Sequence, residues 1–240
     1  MMPEGTGERR ISKMSHYHTV EAGSEVTAGA VAGKESTAPK LAHFNTTESR
    51  RFADAQAVEQ DLAYAVESLS ALLDDGQIPG GSLIARSLLV AALVVYARCF
   101  NKGVRSHYSL DVRRIEAMDE GGAAYHRWLL DVRNKYIAHS VNAYEQAVAG
   151  LALSPPESGV RKVLGCYLLR GELVGLARPD VEQAIRFVSR VRALVDDDLV
   201  GIEDAMLAAA RARPIDEIYA LPPPKLVTIS PAQANRPRRA

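Results

Sequence analysis

Three side chains near the middle of the chain could act together on a phosphodiester. Arg133, Asn134 and His139 lie within Leu130-Asp131-Val132-Arg133-Asn134-Lys135-Tyr136-Ile137-Ala138-His139-Ser140. A guanidinium is always charged and can hold phosphate oxygens in pairs. An imidazole, with an ordinary pKa of about 6.5, takes or gives a proton near neutrality. An amide can orient either partner or the phosphate. Together these groups suit RNA cleavage without a metal, in which a ribose 2′-OH attacks its neighbouring phosphate. Spacing alone is weak evidence, because Arg10 and His16 repeat it near the N-terminus. The combination carries the reading: Asn134 directly after Arg133, and Ala138-His139 at the end of a helix rich in aromatics.

Such residues need elements to hold them, and the sequence predicts mostly helices. Asn45, with Glu48 three residues on, fits a helix N-cap and its partner. Apolar residues then recur at Phe52, Ala55, Val58, Leu62, Ala65, Val66, Leu69, Leu72 and Leu73, the pattern of a helix with one buried face. Gly76, Pro79, Gly80 and Gly81 end it. A second helix follows over 82–100, apolar nearly all round in its middle and so expected to be the most buried. A short helix is expected over 110–118. Asp119 would cap the next one, which turns Tyr125, Trp128, Leu129, Val132 and Tyr136 inward and reaches its end near His139.

The character changes after Tyr144. Segments 147–153 and 160–169 read as strands joined by Ser154-Pro155-Pro156-Glu157-Ser158-Gly159, a hairpin loop, with 172–176 a third strand or a lead-in. Pro179 and Asp180 suit the start of a long helix. Its apolar residues, Val181, Ile185, Val188, Val195, Leu199, Ile202 and Met206, either pack on the chain's own core or form a dimer seam. The fold class is mainly α: a helical bundle over 45–145, then a β-hairpin and long helix over 146–215 packing on it. Residues 1–44 and the basic tail 216–240 read as disordered.

Composition narrows the function classes. Lys+Arg and Asp+Glu each number 29, so no global basic field draws in nucleic acid, and any RNA contact is local. Two cysteines, Cys99 and Cys166, give neither a zinc pattern nor a disulfide scaffold. No metal and no cofactor is expected. The longest apolar run, Leu88–Ala97, is about half the ~20 residues that span a bilayer, and no apolar run follows Arg9, Arg10 and Lys13. The expectation is a cytoplasmic protein without a membrane partner.

The run Arg133-Asn134-Lys135-Tyr136-Ile137-Ala138-His139 resembles the signature of the HEPN superfamily: Arg, a polar residue often Asn, a short spacer, then His. Its wording is most similar to that of the abortive-infection proteins of that superfamily. The resemblance covers roughly residues 48–145, where two long helices and a linking segment precede the motif helix. It implies a HEPN-like bundle that forms a homodimer, with motif residues of two protomers meeting in one cleft. It also implies a catalytic role for Arg133, Asn134 and His139, an RNA substrate, and an antitoxin or regulatory protein as partner. Many members are metal-independent ribonucleases in toxin–antitoxin or antiphage systems; others are non-catalytic binding modules, so enzymatic activity stays open. Helix geometry bears on the dimer separately. Six residues apart on an ideal helix, Arg133 and His139 stand about 120° apart and ~9 Å along the axis. One phosphate is reached by both only if the helix ends first or two protomers share the site.

Each residue has a plainer reading. Arg133 could pair with Asp131 or Asp119, His139 could cap its helix, and Tyr136 suits a core. His107, Tyr108, Arg113 and Arg114 could line a phosphate cleft, but a solvated loop is the better fit. His126 fits a satisfied buried histidine better than a partner of Arg133. Asp196-Asp197-Asp198 reads as a solvated charge run, since consecutive helical residues point apart.

Overall fold

The computed structural model describes residues 40–74, 82–100, 105–118, 121–138, 146–159, 161–171 and 176–225. Every element of the described residues belongs to one compact unit, Leu41–Ala240. As expected, the described residues are mainly helical with one two-stranded hairpin.

Helix α1 (Thr47–Asp74) starts one residue later than Asn45 predicts. Thr46 Oγ1 accepts from the Ser49 amide at 3.2 Å, and Ser49 Oγ accepts from the Thr46 amide at 3.0 Å. Two otherwise orphaned donors are thus satisfied reciprocally, with Ser49 in the role expected of Glu48. Asn45 Oδ1 accepts from Arg50 Nε instead. The predicted stripe is buried at Ala55, Val58, Leu62, Ala65, Leu69 and Leu72. Helix α2 (Leu83–Arg98) is capped by Ser82, whose hydroxyl accepts from the Ala85 amide at 3.0 Å. No residue from Leu88 to Ala97 is exposed, in line with its apolar middle.

Helix α3 is only Val112–Glu116, because Asp111 caps it at Arg113 and leaves Leu110 buried before its start. Helix α4 (Gly122–Asp131) has Gly121 at its N-cap with no side-chain cap; Asp119 lies outside the described residues. A π-helical segment, Val132–Ala138, continues α4 directly and packs on α2.

Strands β1 (Gln146–Leu153) and β2 (Val163–Gly171) pair antiparallel, with a bulge between Ala152 and Leu153. Their loop turns through a short 3-10 segment into Gly159 at φ 68°, a left-handed conformation suited to glycine. Tyr167 lies across its cross-strand partner Gly150, where a Cβ would stand 2.5 Å from the ring. Val160 and residues 172–175, expected within strands, lie outside the described residues.

Helix α5 (Arg178–Arg211) begins with Pro179 in its first turn, where the missing N–H costs nothing. Its buried stripe, Val181, Ala184, Phe187, Val188, Val191, Val195, Leu199 and Ile202, packs against α1 of the same chain. One hydrophobic core joins α1, α2, the segment around α3, α4 and α5, and no hairpin residue belongs to it. The ordered part also runs past both boundaries read from the sequence. Helix α6 (Ile215–Tyr219) lies inside the tail expected to be disordered. The His43 amide donates to the Pro222 carbonyl at 2.7 Å, and the Arg213 guanidinium sits 5.1 Å from the Phe44 ring centre. The acids Asp216 and Glu217 at the start of α6 favour that short helix through its dipole.

Candidate functional site

The motif helix is anchored by one buried side. His126 and Leu129 of α4 are buried, followed by Val132 at the first π-helical position, and Ile137 packs on the core. These anchors leave Asn134 and Lys135 exposed and Arg133 half-buried. The π-helix bonds five residues apart instead of four, an uncommon geometry that recurs at functional sites.

Arg133 and Asn134 are brought together: an Arg133 terminal nitrogen donates to Asn134 Oδ1 at 2.9 Å. The Arg133 Nε–H is buried with no acceptor among the described residues. A buried donor without a partner costs about 1–3 kcal/mol, so the site favours an incoming oxygen there. Asp131 is engaged by Lys135 at 3.4 Å, which removes one of the two acids that could have neutralised Arg133. The other, Asp119, lies outside the described residues, as do His139 and the side chain of Tyr136.

The linking segment is not a solvated loop. His107 approaches Asp54 Oδ2 with its backbone amide at 3.1 Å and its Nδ1 at 3.3 Å. The Tyr108 hydroxyl donates to Asp198 at 2.9 Å, and burial, then that carboxylate, pushes the phenol's pKa up. Arg114 reaches both Asp198 oxygens, at 2.7 and 2.8 Å. Arg98 and Arg105 converge on buried Asp61. Arg98 Nε donates to it at 2.9 Å, while Arg105 sits 2.7 Å away but poorly aligned for a hydrogen bond. Of His107, Tyr108, Arg113 and Arg114, Arg113 alone is exposed, paired with its own cap Asp111. These side chains therefore fasten the segment to α1 and α5 rather than await a phosphate. Asp198 correspondingly leaves the solvated charge run expected of 196–198.

His126 is a satisfied core histidine. Its Nδ1 lies 2.7 Å from the Tyr96 hydroxyl, and its ring meets Phe100 edge-on at 4.6 Å. Burial raises the Tyr96 pKa, so the phenol keeps its proton and donates it to Nδ1. Burial lowers the His126 pKa, so the ring is neutral, with its own proton on Nε2. Burial likewise pushes the Cys99 thiol up to about 12, which leaves it inert.

Two sets of residues were not anticipated. Asp54 and Asp61 are buried on α1, seven residues apart beside the apolar stripe, a spacing visible in the sequence as acids on the wrong face. Arg186 and Arg190 of α5, four residues apart, face Tyr125 and Trp128 of α4 across a cleft. Among the described residues no group of acids, histidines and cysteines could hold a metal, and no helix is long and apolar enough to cross a membrane. No family model, no curated protein and no solved structure matches this chain.

Proposed function

We propose that the protein is a metal-independent endoribonuclease of HEPN type, with Arg133, Asn134 and His139 as its catalytic residues in a homodimeric site. The observation that carries the reading is Arg133 itself. It is a half-buried guanidinium on a π-helical turn, held by Asn134 and left with a buried Nε–H lacking an acceptor among the described residues. A phosphate oxygen supplies that acceptor. In the reaction His139 removes the proton of a ribose 2′-OH, and the 2′-oxygen attacks the adjacent phosphorus. Arg133 stabilises the charge that builds on the equatorial oxygens. The bond from phosphorus to the 5′-oxygen breaks and that oxygen takes a proton from water, giving a 2′,3′-cyclic phosphate and a 5′-hydroxyl. Asn134 keeps the guanidinium in place, and His139 comes from the same or the second protomer.

This activity fits a toxin or a phage-defence effector acting in the cytoplasm and held in check by an antitoxin or regulatory protein. Induced expression in a bacterium is expected to arrest growth, and Arg133→Ala or His139→Ala to relieve the arrest. Arrest that persists undiminished in both variants, at equal protein levels, counts against the proposal. A second reading is a non-catalytic HEPN-like module that binds RNA, a nucleotide or a protein. The bond from Arg133 to Asn134, which occupies part of the guanidinium, and the zero net charge favour it.

A further inference from the structure

A cleft of about 460 Å³ opens between α4 and α5, and neither Arg133 nor Asn134 lines it. Its α4 wall carries Tyr125 and Trp128, stacked with ring centres 5.3 Å apart and planes 30° apart. Phe187 of α5 buttresses the stack, meeting the Tyr125 ring edge-on at 5.0 Å. Across from the rings stand Gln183, Arg186 and Arg190, and among the described residues no acidic side chain lines the cleft. One arm of Arg190 donates to the Met118 carbonyl at 2.8 Å, which fixes its direction. Arg186 has no ion-pair partner among the described residues, yet stands near enough to the Tyr125 phenol to oppose the rise in its pKa. The Trp128 indole N–H likewise has no acceptor among the described residues.

We propose that this cleft binds a nucleotide, its base against the Tyr125–Trp128 stack and its phosphate at Arg186 and Arg190. The wall offers flat aromatic surface and the rim offers donors with positive charge, so the matching ligand is a planar ring carrying an anion. The volume falls in the range usual for small-ligand sites. Bases stack on aromatic side chains with little regard to sequence, and arginine forks recognise phosphate oxygens in pairs. Half of the site comes from α5, which lies outside the segment that resembles a known family. The inference does not depend on cleavage, because a module that only binds would use the same surface.

Trp128 is the sole tryptophan, so its fluorescence reports on the cleft alone. The full-length protein is titrated with 5′-AMP, with a short 2′-O-methylated single-stranded RNA that cannot be cleaved, and with ribose 5-phosphate. Saturable quenching by AMP identifies a free nucleotide as the ligand. Quenching by the oligonucleotide alone identifies a nucleotide within a strand. Ribose 5-phosphate, which lacks the base, is expected to leave the signal unchanged. Arg186→Ala, at an exposed position, is expected to keep the fold by circular dichroism and weaken the response about tenfold or more. The proposal is overturned if neither AMP nor the oligonucleotide quenches at millimolar concentration. Equal quenching by ribose 5-phosphate, or an Arg186→Ala protein that responds like wild type, overturns it too. Absence of ribonuclease activity in the same protein leaves the quenching expected here unchanged, so the two proposals fail separately.

Discussion

Tyr96 and His126 are bonded to each other in the core, and the burial of the imidazole has a measurable sign. Burial keeps the His126 pKa below its ordinary value, with Glu116 opposing and Arg127 adding to the shift. Above the unfolded value of about 6.5 the ring is neutral in both states, and its packing contributes fully. As pH falls through 6.5 toward the lower folded pKa, the unfolded chain takes the proton first and stability is lost. This single ring contributes at most about 1.4 kcal/mol of that loss per pH unit. Thermal melts between pH 7.5 and 5.5 are expected to show the decline, and His126→Gln, which keeps an acceptor for Tyr96, to flatten it. A wild-type-like decline in His126→Gln contradicts the assignment. Asp61 makes a second residue-level case. Asp61→Ala leaves Arg105 without its carboxylate in a largely buried setting and is expected to cost about 2–4 kcal/mol, read from the urea midpoint. Neither case was fully legible beforehand. The sequence suggested that His126 is a satisfied buried residue, but not that Tyr96, thirty positions away, satisfies it.

The helices were the most legible elements because apolar periodicity survives tertiary context. The stripe from Ala55 to Leu72 and the start at Pro179 both emerge as read. The ends were less legible, since several hydroxyl and acid side chains compete to cap one turn. Ser49 closes the box at Thr46 where Glu48 was expected to close one at Asn45. The π-helical segment was illegible: on an ordinary helix Val132 and Ile137, five residues apart, stand about 140° apart, so Ile137 did not read as inward, whereas here both pack on the core. The linking segment misled because its His, Tyr and Arg residues look solvated until their carboxylates on α1 and α5 are in place. Its attachment is testable. Asp198→Asn removes the charge that gathers Arg114 and Tyr108 and is expected to cost about 1–3 kcal/mol of stability. Hydrogen exchange is expected to quicken in α3 more than in α1 or α2. Uniform quickening across the bundle contradicts the clasp.

At the scale of the whole molecule, α5 completes the bundle while the hairpin stands apart from its core. Leu151, Leu153, Leu168 and Leu169 are each more than half exposed, and an isolated two-stranded hairpin is marginally stable in water. Amides of β1 and β2 are therefore expected to lose exchange protection at a lower urea concentration than those of α1, without loss of the helical signal. Simultaneous loss in both contradicts this independence. The candidate site belongs to the same scale, because the sequence spacing of Arg133 and His139 puts the question to the assembled protein rather than to one helix. The proposed RNA cleavage depends on Arg133 and needs no metal. Purified wild-type and Arg133→Ala proteins are incubated with single-stranded RNA in excess chelator, and the product ends are identified by mass spectrometry. Fragments ending in 2′,3′-cyclic phosphate are expected from the wild type, and at least a hundredfold less from Arg133→Ala. Intact RNA, or equal cleavage by both proteins, contradicts it.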